Sequence, residues 1–289
     1  MKTFLASLLA LNGALTLTAA TVQADLEYGK AGDVSLRLDA CVPDGPGPFP
    51  AVILVHGGAW NSGDKTGGSG KGLIAPMFEP LTRGGFVWFS INYRLAPQHP
   101  YPACIEDVET AIRWVKVHAA EFHVDPNRIA LSGESAGGHL VALAAVRAAG
   151  ATRVAAVVPF YGPFDLVGGL RAGDLLRPPL QQLFGSEKLD RATAVRLHEA
   201  SPIEHVKPGL PPFLLVHGSE DARVSHRQSE DFQAALRKAG VTCDLITVPG
   251  GGHGMKSWAT LGSDYQAQVV AWLGRTLDPA KTAAPAPAK

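Results

Sequence analysis

The stretch "ALSGESAGGHL", from Ala130 to Leu140, decides how this chain is read. Strand-like apolar residues enter it, Gly133-Glu134-Ser135-Ala136-Gly137 turns it, and small residues lead on into a helical pattern. Glycines on both sides of a serine relieve crowding in a sharp strand-to-helix turn. Such a turn lifts the hydroxyl above the edge of a sheet, beside the N-terminus of the next helix. The five residues alone also describe an ordinary Gly-rich turn, so the other segments must decide.

Outward from this stretch the chain alternates. Ala51–Val55, Phe86–Ile91, Arg128–Ser132 and Val154–Phe160 are continuous apolar runs, as expected of strands buried on both faces. Phe213–Val216 and Cys243–Val248 extend the series. Between them Ile105, Val108, Ile112, Val115 and Ala119 step by three and four, one face of an amphipathic helix. Glu106 and Asp107 sit in its first turn, where the helix dipole favours acids. Phe232, Ala235 and Leu236, ending at Gly240, repeat the pattern, as do Tyr265, Val269, Trp272, Leu273 and Leu277. The alternation predicts an α/β fold: a mostly parallel central sheet flanked by helices. Upstream, Leu26–Tyr28 and Val34–Cys41 around Lys30-Ala31-Gly32-Asp33 read as a hairpin. The segment from Val167 to Ala200 lacks a clear strand and reads as a short helical insertion over the sheet.

Composition narrows the function classes. The 289 residues are 46% hydrophobic, with 26 basic against 26 acidic side chains, so the basic excess of a nucleic-acid binder is missing. The uncharged apolar run Phe4–Ala20 and the small residues around Val22-Gln23-Ala24 read as a signal peptide cut after Ala24. The expected organisation is a leader over 1–24, a catalytic domain over 25–277 and an Ala/Pro tail over 278–289, in a secreted or periplasmic protein with no stable membrane span. Cys41, Cys104 and Cys243 allow at most one disulfide and read as small buried hydrophobes.

A parallel sheet presents ligands at the carboxyl ends of its strands. There the sequence places His56-Gly57-Gly58-Ala59-Trp60, then Ser135, then Glu220-Asp221 in "HGSEDARV", then His253 in "PGGGHGM". Serine needs a base to act as a nucleophile, and histidine oriented by a carboxylate supplies one near neutral pH. Adjacent glycines can aim N–H groups at the oxygen that turns negative in acyl transfer.

The stretches "HGGAW", "NYRLAPQHPYPACIEDVETAIRWV", "DPNRIALSGESAGGHL", "PPFLLVHGSEDARV" and "GGGHG" cover most of the span from Ala51 to about Gly254. Together they resemble the hormone-sensitive-lipase-like esterases and their secreted relatives, the BD-FAE-type (acetylxylan/feruloyl) esterases. The resemblance implies an α/β-hydrolase fold, with Ser135 as nucleophile, Asp221 as orienting acid and His253 as base. It also implies an oxyanion hole from Gly57, Gly58 and Ala136. Two departures stand out. The usual HGGG reads His-Gly-Gly-Ala-Trp here, which makes Ala59 an alternative donor. Only a hairpin fits between Asp25 and Val55, so a small or absent lid is expected. Trp60, Phe164 and Trp258 are candidates for the substrate pocket, with core packing as the alternative for each.

The implied function is a secreted serine carboxylesterase acting on small-molecule or polysaccharide-linked esters, without cofactor or metal. An amidase or peptidase using the same residues, and a silent binding protein on a hydrolase scaffold, are the competing readings.

Overall fold

The computed structural model describes residues 20–67 and 74–278. Most of the expected leader and nearly all of the expected tail lie outside the described residues.

Among the described residues eight strands form one sheet in the order β1-β2-β4-β3-β5-β6-β7-β8. They are β1 (Ala20–Ala31), β2 (Val34–Pro43), β3 (Phe49–Val55), β4 (Val87–Ile91), β5 (Val124–Glu134), β6 (Ala156–Phe160), β7 (Phe213–Gly218) and β8 (Cys243–Val248). The first two form the expected antiparallel hairpin, and β2 pairs antiparallel with β4. From β4 to β8 every pairing is parallel. The hairpin begins earlier than its sequence pattern predicts. Ala20 already pairs with Pro43, and the expected boundary after Ala24 falls inside β1.

Alternation along the central strands divides the core into two layers. Ala51, Ile53 and Val55 of β3 point to one face, Val52 and Leu54 to the other, and all five are fully buried. Full burial of one such aliphatic side chain stabilises by about 1.5–3 kcal/mol. The first layer takes helices α2 (Ala103–Val117), α3 (Ala136–Arg147) and α6 (Arg227–Lys238). The second takes α1 (Phe78–Arg83), the short α7 (Met255–Trp258) and α8 (Tyr265–Thr276). Of the apolar stripe predicted from Ile105 to Ala119, Ile105, Val108, Ile112 and Val115 form the buried face of α2, and Ala119 is buried just beyond its end. Asp107 departs from its expected role at the helix dipole. It is buried and takes the Arg94 guanidinium at 2.8–3.0 Å and the Arg94 amide at 2.8 Å, which fixes the loop after β4.

The insertion contains α4 (Pro178–Phe184) and α5 (Arg191–Glu199), with an isolated bridge between Leu175 and Lys188. It is tied down from below: Arg196 donates to the carbonyls of Phe184 and Tyr101, and the Tyr101 amide donates to Leu183. On the opposite side the Lys65 ammonium, 8% exposed, lies 2.9 Å from Asp25 and 2.8 Å from Asp39, joining the loop after β3 to the hairpin. All three cysteines are free and buried. Among the described residues no helix is long and apolar enough to cross a membrane.

Candidate active site

At the carboxyl edge of the sheet, β5 ends at Glu134 and α3 begins at Ala136, leaving Ser135 alone at the turn with φ 54° and ψ −115°. A non-glycine residue in that region is strained, and strain of this kind persists only where surroundings enforce it. Here the surroundings are close backbones. A Cβ on Gly133 would lie 2.5 Å from the Gly137 carbonyl oxygen, and one on Gly137 would lie 2.1 Å from that of Val55. The flanking glycines are therefore a packing requirement. The Ser135 amide donates to the Phe160 carbonyl at 2.9 Å, which pins the turn to β6.

Ser135 Oγ stands 2.8 Å from His253 Nε2, and His253 Nδ1 stands 2.7 Å from Asp221 Oδ2. An ionised carboxylate only accepts, so Nδ1 carries the proton and Nε2 is left to accept from the serine. Asp221 is fixed in turn. Its Oδ1 accepts the amides of Arg223 (2.8 Å) and Val224 (3.0 Å), and His217 Nε2 lies 3.3 Å from Oδ2. Burial works to raise the Asp221 pKa, but the hydrogen bonds from His217, His253 and the Val224 amide outweigh it and hold the carboxyl well below its ordinary range. Its neighbour Glu220 is exposed and does not line the cavity, and its amide bonds to the Gly251 carbonyl. The Tyr161 ring supports His253 edge-on at a centroid distance of 4.8 Å, and its hydroxyl accepts the Met255 amide.

The loop after β3 departs from expectation at Gly57. Its N–H donates to the buried Glu134 carboxylate at 2.6 Å, so it is not free to meet an oxyanion. The reason is steric as well as polar: a Cβ there would sit 2.3 Å from Glu134 Oε1. The N–H groups of Gly58, Ala59 and Ala136 make no hydrogen bond to another described residue. Gly58, at φ 103°, and Ala136 line the cavity with Ser135, and Ala59 borders it at φ 54°. The glutamate between Gly133 and Ser135 was in plain view in the sequence, but no local pattern marks it as the partner of a loop seventy-seven residues away.

The three expected pocket aromatics separate. Trp60 lines the cavity, and its indole N–H donates to His139 Nδ1 at 3.2 Å. His139 is fully buried in α3 and is itself bonded through Nε2 to the Ala200 carbonyl at 2.7 Å. Phe164 and Trp258 do not line the cavity, which corrects the expectation for both. Phe164 is fully buried, stacked on Phe232 at 4.5 Å, because the aromatic contact beneath the β6 loop outcompetes exposure. Trp258 is fully buried against Tyr161 and Tyr265, with its N–H on the Gly252 carbonyl. It braces the turn carrying His253 from behind.

The cavity encloses about 790 Å³. The insertion supplies one wall through Leu170, Pro179 and Leu180, and the Asn61 amide bonds to Gln182 of α4 across it. Asp165 lines the same space, with Oδ1 turned to the amides of Val167 and Gly168, which caps the loop after β6.

Residues 38–236 match the family model described as BD-FAE. The chain is 35% identical over 227 residues to the "Probable carboxylic ester hydrolase LipM" of Mycobacterium tuberculosis, covering 73% of this chain and 50% of that protein. It is 34% identical over 260 residues to the "Esterase LipQ" of the same organism, covering 85% and 60%. It thus spans half to three fifths of the length of these curated relatives. Among solved structures, a "Truncated form of carbohydrate esterase from gut microbiota" superposes with a TM-score of 0.75 at 28% identity, over 89% of this chain and 96% of that one. The butyrate-bound Est2 esterase of Thermogutta terrifontis superposes with a TM-score of 0.66 at 28% identity, over 86% and 94%.

Proposed function

The chain belongs to the BD-FAE family and has the α/β-hydrolase fold, and from that premise we propose that it is a secreted serine carboxylesterase acting on short-chain or carbohydrate-linked esters. One observation carries the chemistry: a single imidazole bridges a strained, cavity-facing serine hydroxyl at 2.8 Å and a buried carboxylate at 2.7 Å.

In this reading Ser135 Oγ attacks the ester carbonyl carbon and its proton passes to His253 Nε2. The carbonyl electron pair moves to oxygen, where the N–H groups of Ala136 and Gly58 receive it, with Ala59 as the neighbouring donor. The pair returns, the alkoxide leaves with the proton from His253, and the acyl group stays on Ser135. Water then gives a proton to His253 and attacks the acyl carbon. Ser135 departs with that proton, so ester and water become acid and alcohol. Asp221 stays ionised throughout and stabilises the imidazolium. Gly57 serves indirectly, by tying the donor loop to Glu134.

The short-chain preference rests on a cavity sized for one small ligand and closed on one side by the insertion. The carbohydrate side and the secretion rest on the carbohydrate esterase neighbour and on the leader-like residues from Phe4 to Ala24. The test is fluorophosphonate labelling with and without Ser135→Ala, joined to turnover of nitrophenyl acetate, butyrate and laurate, acetylated xylan and methyl ferulate. Labelling of the wild type alone, with loss of at least about 10³-fold in butyrate turnover in the variant, is the expected result. A folded Ser135→Ala protein that keeps most of its turnover overturns the reading.

A further inference from the structure

Two side chains of the cavity have no part in the chemistry above. Arg177 lies on the insertion just before α4, and Arg223 lies on the loop after β7, two residues beyond Asp221. Both line the same cavity as Ser135 and His253, and both are exposed. Elsewhere arginines near acids pair with them, as Arg94 does with Asp107 and Arg227 with Asp231. Among the described residues neither Arg177 nor Arg223 makes an ion pair or a side-chain hydrogen bond.

Acids are present in the same cavity, yet they are turned elsewhere. Asp165 gives Oδ1 to two backbone amides, and Glu134 takes the Gly57 amide. The Arg223 backbone is held by Asp221 at 2.8 Å, so its side chain starts from a fixed point beside the reacting groups. Trp60, Leu166 and Leu180 give the remaining wall an apolar part suited to a carbon skeleton, and the polar side chains that share it, Ser62, Ser225 and Gln228, carry no charge to neutralise a guanidinium. A guanidinium is a planar fork of donors that matches a carboxylate in a bidentate manner.

Resting on the esterase reading, we propose that Arg177 and Arg223 are specificity-determining residues that select esters bearing a carboxylate away from the scissile bond. The carboxylate is carried either by the acyl group, as in a hemiester of a dicarboxylic acid, or by the alcohol, as in an acylated uronic acid.

The experiment compares kcat/KM for nitrophenyl hemiglutarate against nitrophenyl valerate, and for acetylated glucuronic acid against acetylated glucose. Wild type is measured beside Arg177→Ala, Arg223→Ala and the double variant, with circular dichroism to verify folding. We expect the wild type to favour the anionic member of at least one pair by roughly fivefold at low salt, the range open to two exposed ion pairs. That ratio falls toward one in the double variant and with added salt. The pair that responds says which side of the ester carries the anion. Equal or lower kcat/KM for both anionic esters overturns the inference, and so does a preference that survives in the double variant. Absence of turnover on all four esters would instead strike the esterase reading itself.

Discussion

The floor and the roof of the cavity are built by different means. On the floor, Ser135, Asp221 and His253 stand on turns that leave parallel strands, and each is pinned by backbone contacts or buried partners. On the roof, Leu170, Arg177, Pro179 and Leu180 come from an insertion without strands of the central sheet, and its cavity side is half-buried or exposed. The difference suggests a division of labour. A preorganised floor fixes what reaction occurs, and an adaptable roof sets what is admitted.

The comparison breaks most visibly at Gly137. An alanine there sets its Cβ 2.1 Å from a backbone oxygen of β3, which no rotamer change relieves. Gly137→Ala is expected to lose more than about 3 kcal/mol of stability, or to give no soluble protein, as read by denaturant unfolding. A normal unfolding midpoint would show that the floor is not rigid. Next in size is Asp221→Asn. The amide can present its N–H to Nδ1 and favour the wrong imidazole tautomer, so turnover should drop by about 10³–10⁴ while circular dichroism stays unchanged. Glu220→Gln, at an exposed neighbour, should stay within about twofold of wild type. The opposite ranking of these two variants would refute the assignment.

His139 tests where floor meets roof. Its ring accepts from Trp60 on the donor loop and donates to Ala200 at the end of the insertion. His139→Phe strands both partners, for which about 1–3 kcal/mol of destabilisation and roughly tenfold lower kcat are expected. His139→Gln, which keeps one donor and one acceptor, should recover part of the kcat, an outcome that lost packing alone would not produce.

Acid sharpens the same point. Burial pushes the pKa of both His56 and His139 down to about 4 from an ordinary value of 6.5. As pH falls through this window the unfolded chain takes up protons that the folded one refuses. The stability these groups contribute is intact above about 6.5 and is lost progressively toward 4. Melting temperature should decline over that range, less steeply in His139→Gln. A flat profile would mean that the rings are hydrated. Among the residues that line the cavity, the smallest effect belongs to the roof: Leu180→Ala should raise KM for neutral esters a few-fold and leave kcat within about twofold. A loss in kcat rivalling that of Asp221→Asn would erase the distinction between the two regions.

What the sequence disclosed follows the same boundary. The buried strands from Ala51 to Val248 announced themselves because apolar runs flanked by Gly-rich turns have few other uses, and the floor residues sit at fixed places in those turns. The apolar stripe of α2 was equally legible. Periodicity gave no hint that Asp107 is an anchor for Arg94 rather than a helix-end acid. The roof carries no strand signal, so neither its helices' limits nor its reach over the site could be read. Phe164 and Trp258 misled for a related reason. An aromatic beside a site motif looks the same in sequence whether it faces the ligand or props up the loop. Gly57 failed because the competing acceptor, Glu134, comes from a distant segment.

The Lys65 cluster bears on this in another way. The loop leaving β3 is restrained near its start, where Gly57 meets Glu134, and again at Lys65, whose ammonium sits between Asp25 and Asp39 and whose amide and carbonyl bond to Asn92 and Ser90. A beam clamped at both ends bends little in the middle, and the middle here is Gly58–Trp60. The far clamp belongs to the antiparallel hairpin, a part of the sheet that does not line the cavity. Trimming that hairpin, or neutralising Asp39, would therefore act on turnover as a slackening of the donor loop, with the cavity walls and the Ser135–His253 hydrogen bond left in place.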